Sequence, residues 1–321
     1  VSGRRSWIAA AIVPALLATG CVRKLDAPAA LAVYGSTATI EIAPVLVAAR
    51  SERIVVQNGG IANLVGAAPG GADLATHAET QALRYSVAHP DIRIILTVTE
   101  GRYRIVARRS AGIATLADLK GRRIATLATT SAGYFLARML KQAGLALADV
   151  VPVRISPEDM AAALARGEVD AVAIWEPHAG NAALALGEDR IEFAGDGIYR
   201  ELFNLNTTAA NLADPVKRRE IVRFVRTVID AAAVIRRDGA EARKLAAQGA
   251  SFTTEAVTRA WPSLAFPAAL PADLLDVLVE EEQWLAGQEG RAPRPRATLA
   301  HLIDSRVIAE AMALKTKPQF R

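Results

Sequence analysis

Through its first two thirds the chain alternates short apolar runs with stretches of helical period, and this alternation predicts an α/β fold. The runs that read as strands are 30–35 (ALAVYG), 53–57 (RIVVQ), 72–76 (ADLAT), 93–99 (RIILTVT), 102–108 (RYRIVAR), 123–128 (RIATLA), 150–155 (VVPVRI) and 170–175 (DAVAIW). Helix ends between them are legible. Ser156 is an N-cap, Pro157 takes the first helical position, Asp159 follows, and Gly167 stops the helix. Thr115 and Asp118 frame a one-turn helix ended by Gly121; Thr130 or Ser131 opens another, ended by Gly144. From about Asp214 the pattern is all helical, with segments at 214–237, 240–248, 253–261, 271–287 and 299–313 that should pack on the sheet formed earlier. The proline- and arginine-rich stretch 290–297 reads as a spacer.

At 321 residues the chain can hold two lobes of ordinary size, and 52% hydrophobic content excludes disorder. The first residues differ: Arg4 and Arg5, the apolar run 7–18, then small residues ending at Gly20-Cys21. That is the layout of a secretory signal, predicted here over 1–20 with a tether at 21–27. Cys21 is the only cysteine, so an internal disulfide is excluded. The segment LLATGC resembles a bacterial lipobox, with leucine displaced by one position to Leu17, which makes Cys21 the expected lipidation site; cleavage by the ordinary peptidase is the alternative. The net charge of +5 falls by two with Arg4 and Arg5, and no block of like charges or nucleic-acid signature is present. Beyond the signal no apolar run is long enough to span a bilayer.

A weak repeat organises the α/β part. Gly70-x-x-Asp73 leads to His77 and Glu79, as Gly167-x-x-Asp170 leads to Trp175 and Glu176, at an offset of about 97 residues. Ser36-Thr37-Ala38 corresponds to Thr130-Ser131-Ala132 at a similar offset. Both hydroxyl-bearing turns follow a strand and open a helix, where free N–H groups and the positive end of the dipole can hold a polar head group; helix capping alone is the simpler role. His77, Glu79, Trp175, Glu176 and His178 lie at the matching strand ends. The mirrored His-x-Glu and Glu-x-His pairs are too short a pattern to predict a metal, and no cofactor is expected. Phosphate-binding loops, dinucleotide fingerprints and zinc-protease motifs are missing, and residues 129–133 (TTSAG) lack the first glycine of a nucleophile elbow.

Residues 116–180, with DLKGRRI, AAALARGEVDA and Trp175-Glu176-Pro177, closely resemble the second lobe of the nitrate/sulfonate/taurine-type solute-binding proteins of ABC importers. GADLATHAETQAL, the long helix after Asp214 and HLIDSRVIAEAM resemble other parts of that family. The resemblance implies a two-lobe periplasmic-binding-protein fold of type II with two crossover hinge strands and C-terminal helices. Hinges are expected near Ile105–Arg108 and Leu205–Thr208, giving lobe 1 at 28–105 and 207–321 and lobe 2 at 106–206. It further implies a periplasmic, lipid-anchored monomer that passes one small polar or anionic solute to an ABC permease and its ATPase, without catalysis or nucleic acid. The ligand-binding positions carried over are Ser36, Thr37, His77, Glu79, Thr130, Ser131, Trp175 and Glu176. Rim carboxylates oppose an anion unless an arginine such as Arg102 or Arg104 balances them. Relatives of this fold also bind or make a thiamine-precursor pyrimidine, and a ligand-sensing lipoprotein is a further alternative. The enzyme among those relatives resembles the fold with a cysteine-rich motif that this chain lacks.

Overall fold

A computed structural model describes residues 31–66, 71–316 and Phe320; the expected signal, tether and lipidation site Cys21, and Gly70 of the repeat, lie outside them. In chain order the strands are β1 (Val33–Gly35), β2 (Val56–Asn58), β3 (Leu74–Ala78), β4 (Ile92–Gly101), β5 (Arg104–Arg108), β6 (Arg123–Ala125), β7 (Val151–Val153), β8 (Ala171–Ile174), β9 (Arg190–Ala194), β10 (Glu201–Thr208) and β11 (Leu264–Ala265). They form two sheets, ordered β11-β4-β10-β3-β1-β2 and β9-β5-β8-β6-β7.

Without β11 the sheets have one topology. In the first, β4, β10 and β3 are antiparallel neighbours, whereas β3, β1 and β2 run parallel. In the second, β9, β5 and β8 are antiparallel neighbours, whereas β8, β6 and β7 run parallel. The repeat has a physical counterpart at the start of β3 and β8. Asp73 Oδ2 accepts the Ala32 N–H at 2.9 Å, and Asp170 Oδ2 accepts the Arg123 N–H at 2.9 Å. Each aspartate thus holds the neighbouring parallel strand in register.

The helix Pro215–Arg237 begins where Asp214 Oδ1 accepts the Val216 and Lys217 N–H groups at 2.8 and 3.1 Å, with proline at its first position. Ile221, Phe224, Val225 and Val228 recur on one face and pack beneath β4 and β10 against Ile95, Leu96 and Leu205. Each such side chain stabilises the fold by about 1.5–3 kcal/mol through burial. Leu274, Leu278 and Leu285 of Leu274–Gln288 join a separate cluster with Leu83, Ile92 and Ile94. In the second sheet Ile105, Ile124 and Val172 meet Phe135, Leu136 and Met139 of the helix Ser131–Gln142.

Two sequence-based expectations are corrected, and strands beyond the expected set are added. The expected hinge positions lie inside β5 and β10; the chain passes between sheets a few residues earlier, at 102–103 and 195–200. The predicted last helix is two, Arg296–Ala300 and Ser305–Ala313, because the intervening turn docks on β4. Ile94 N donates to Leu302 O at 2.6 Å, its carbonyl accepts Asp304 N at 3.0 Å, and Asp304 Oδ1 caps the next helix through Arg306 N. Finally, β9 and β10 have no continuous apolar run. β9 is a charged strand at the sheet edge, whereas β10 buries Glu201, Asn204, Asn206, Thr207 and Thr208. Neighbours supply part of the bonding: Thr97 Oγ1 donates to Asn204 Oδ1 at 2.7 Å and Thr207 Oγ1 to Asp73 O at 2.7 Å, whereas Glu201 Oε2, Asn204 Nδ2 and Asn206 Oδ1 have no partner among the described residues.

Candidate functional site

The C-terminal ends of β1, β3 and β8 and the turn after β6 converge on one cavity of about 80 Å³. This is where open α/β sheets place ligands, beyond the carboxyl ends of parallel strands. Ser36 and His77 line it from the first lobe, and Thr130, Ser131 and Trp175 from the second.

The second turn is built by its own hydrogen bonds. Thr130 Oγ1 donates to Leu127 O at 2.8 Å and accepts from Ala132 N at 3.2 Å, which caps the helix. Gly133 is required, because a Cβ there would stand 2.2 Å from Ala128 O. Ser131 Oγ lies 3.0 Å from the Tyr103 hydroxyl of the first crossing. Across the cleft, Gln81 Nε2 and Arg84 Nη1 both donate to Thr129 O, at 3.2 and 2.8 Å, so the helix Glu79–Ala88 of the first lobe touches the second-lobe turn.

The other carried-over residues stand elsewhere. Thr37 donates through N–H and Oγ1 to Asn58 Oδ1 on β2. Glu79 begins its helix wholly buried, where Oε1 accepts the Tyr199 hydroxyl at 2.7 Å and Oε2 the Leu202 N–H at 2.8 Å. Glu176, also buried, pairs with Arg104 Nη2 at 2.7 Å and accepts Gly180 N–H at 3.0 Å. Each carboxylate therefore braces a strand arriving from the other lobe, Glu79 at β10 and Glu176 at β5. Neither borders the cavity. The arginines considered as balancing charges are also engaged: Arg102 bonds to Pro262 O and pairs with Asp196, while Arg104 pairs with Glu176 and Glu192.

Sequence patterns gave no signal for Thr39, Glu41, Gln81, Glu201 and Phe203, which with Ala78 complete the lining. Glu41 and Glu201 are 2% and 4% exposed, and the Oε2 atom of each lacks a hydrogen-bond partner among the described residues. Burial pushes the Glu41 carboxyl up to about 7, and the charge of Glu176 adds to the effect. Glu201 is raised well above the carboxylate range, again by burial, with Glu41 and Glu79 as neighbouring acids. Burial lowers His77 to about 4, so it is a neutral acceptor of Ile61 N–H at 3.4 Å. His178 lies outside the lining; its ring is edge-on to Phe252 with centroids 5.1 Å apart, and burial lowers it to about 4. Its pattern with Glu176 is thus accounted for by packing.

A larger cavity of about 500 Å³ is lined by Arg102, Gly197 to Arg200, Arg138 and Glu280. It opens beside the crossings and contains none of the paired strand-end positions of the repeat.

Two sheets of one topology, joined by two crossings and meeting at a shared cavity, constitute the fold of two-lobe periplasmic solute-binding proteins. The chain belongs to the NMT1/THI5-like family, whose model matches residues 53–242. A candidate aliphatic sulfonates-binding protein of Escherichia coli (strain K12) is 41% identical over 87 residues, 27% of this chain and 27% of that one. The match thus spans about a quarter of the curated relative. The alkanesulfonate-binding protein SsuA of Xanthomonas axonopodis pv. citri, solved bound to MOPS, superposes with a TM-score of 0.66 at 24% identity, covering 87% of this chain and 99% of that one. The desulfurization enzyme DszB shares the fold at a TM-score of 0.61 and 16% identity, covering 88% and 99%, so binding proteins and an enzyme both use it. Among the described residues no helix is long and apolar enough to cross a membrane.

Proposed function

We propose that this protein is an extracytoplasmic solute-binding protein that encloses one small polar solute between its lobes and delivers it to the permease of an ATP-driven importer. The observation that carries this reading is the cavity lined by Ser36 and His77 from one lobe and Thr130, Ser131 and Trp175 from the other. A solute held there contacts both lobes, so its binding free energy favours the closed arrangement over the open one. The lobes are taken as the two sheets with their helices, the crossings at 102–103 and 195–200 acting as the hinge. Periplasmic residence, a monomeric state and lipidation at Cys21 complete the proposal, since a tether keeps a carrier near its permease.

Relatives named for sulfonates make the sulfonate, nitrate and taurine class the first to test. Nucleophilic catalysis by Ser131 would need an adjacent base, and Ser131 Oγ is instead paired with the Tyr103 hydroxyl.

Trp175 borders the cavity and reports its occupation. Titration with a panel of sulfonates, nitrate, amines and amino-heterocycles should change tryptophan emission and raise the melting temperature for at least one compound, and Trp175→Phe should remove the emission change. A panel that produces neither effect, with purified protein free of retained solute by native mass spectrometry, counts against a carrier.

A further inference from the structure

We propose that the cavity holds its solute by a cationic nitrogen, an ammonium or amidinium group whose N–H bonds are received by Glu41 and Glu201. This rests on the reading of the cavity as a solute site and names the chemistry that the site selects.

Both carboxyls are almost fully buried, both line the cavity, and each leaves an oxygen without a partner. Buried acceptors of this kind are normally bonded, so the cavity is chemically incomplete until donors enter it. No lysine or arginine belongs to the lining. Arg102 and Arg104, the nearest cations in sequence to the first crossing, are spent on Asp196, Glu176 and Glu192. A simple oxyanion placed here would meet two carboxyls and no compensating cation, whereas an N–H-bearing cation meets two acceptors. Trp175 and Phe203 add aromatic surface, which favours cations further. Trp175 Nε1 is itself buried without an acceptor, so the solute also carries an oxygen or similar acceptor away from its nitrogen.

Protonation gives the inference a sign. An empty cavity stabilises neutral carboxyls, as the upward shifts of Glu41 and Glu201 show, and a bound cation stabilises ionised ones. Cation binding therefore releases protons and tightens as pH rises, while anion binding weakens. The groups facing these carboxyls are Glu176 after β8, Glu79 and His77 around the end of β3, Tyr103 at the first crossing, Tyr199 at the second, and the buried Glu281 of the helix Leu274–Gln288, whose carboxyl burial also pushes up. His77, held at about 4, stays neutral near pH 7, and Tyr103 is pushed well above its ordinary value. Glu79 also shifts to about 7, but its oxygens are engaged by Tyr199 and Leu202, so variants of Glu41 and Glu201 separate its contribution.

Isothermal titration with ethanolamine and agmatine as cations and ethanesulfonate as anion, at pH 6 and pH 8, tests the inference. A carboxyl near 7 becomes about tenfold more ionised over that interval, so the bound cation should gain about tenfold in affinity. Heats in buffers of different ionisation enthalpy should show proton release. Glu41→Gln and Glu201→Gln keep shape and remove a buried acid; with melting temperatures no lower than the parent's, each should weaken the cation at least tenfold at pH 8 and flatten its pH dependence. Binding of ethanesulfonate with neither cation bound overturns the nitrogen assignment and leaves the carrier reading standing. Cation affinity that falls from pH 6 to pH 8, or that both Gln variants leave unchanged, also overturns it. If none of the three probes binds, the nitrogen assignment fails; the broader panel and native mass spectrometry then decide the carrier reading separately.

Discussion

The Tyr199 hydroxyl donates to Glu79 Oε1 at 2.7 Å, binding the second crossing to the first turn of the helix that faces the cleft. Tyr199→Phe removes the donor and leaves a fully buried carboxyl oxygen unsatisfied. The expected cost is about 1–3 kcal/mol, read from the urea midpoint at constant m-value. Because this bond pulls the Glu79 carboxyl down against the effect of burial, its loss should also raise that group further.

The equivalent brace in the second lobe is ionic. Arg104 holds the buried Glu176, whose carboxyl burial pushes upward while the guanidinium opposes the shift. Arg104→Met should destabilise the protein by about 3 kcal/mol, since it leaves an uncompensated buried acid. Adding Glu176→Gln to that variant should recover part of the loss. A loss in the double variant equal to the sum of the two single losses would show that the two residues act independently.

Stability should depend on pH through Glu41 and Glu79. Their folded-state values, about 7, exceed the ordinary 4.5, so the folded chain binds protons more tightly than the unfolded one. Their contribution is complete below about 4.5 and is lost as pH rises through about 7. Denaturation midpoints of Glu41→Gln relative to the parent should therefore improve between pH 5 and about 7 and level off towards pH 8. A difference that stays constant over that range contradicts the assignment.

Glu282 behaves oppositely. Burial raises its carboxyl, but hydrogen bonds from Arg294 and Arg291 outweigh burial and hold it at about 2. Its contribution is present above about 4.5 and disappears as pH falls towards 2. Glu282→Gln should narrow the gap in melting temperature between pH 5 and pH 2.5.

Gly133 sets the geometry of the Thr130–Ser131 turn. Gly133→Ala brings a Cβ against the Ala128 carbonyl, so the turn must shift or the helix must start later. A loss of about 1–3 kcal/mol is expected, together with a weaker tryptophan response to any bound solute.

Much of the frame was legible in the chain. The alternation of apolar strands with capped helices is local, and Asp214-Pro215, Ser156-Pro157 and Thr115 with Asp118 marked helix starts from neighbouring residues alone. The repeat of Asp73 and Asp170 showed two related halves, because each aspartate serves the strand on which its own half is built. β10 was hidden, since its buried polar side chains break any apolar period, and bonds such as those of Asn204 with Thr97 and of Thr207 with Asp73 join residues distant in sequence.

The cavity divides along the same line. Ser36, His77, Thr130, Ser131 and Trp175 follow strands that end in polar residues, a pattern visible along the chain. Glu41 stands before a helix without any such mark, and Glu201 opens a strand with no apolar period. Glu79 and Glu176 carried the stronger sequence signal and turned out to brace the crossings. Sequence by itself determined the two-lobe plan and the turns that face the cleft, because capping, periodicity and strand length act over a few residues. Only tertiary structure decided which acids enter the cavity and which are spent on Tyr199 and Arg104, because burial and partnership depend on chain segments up to about 160 residues apart.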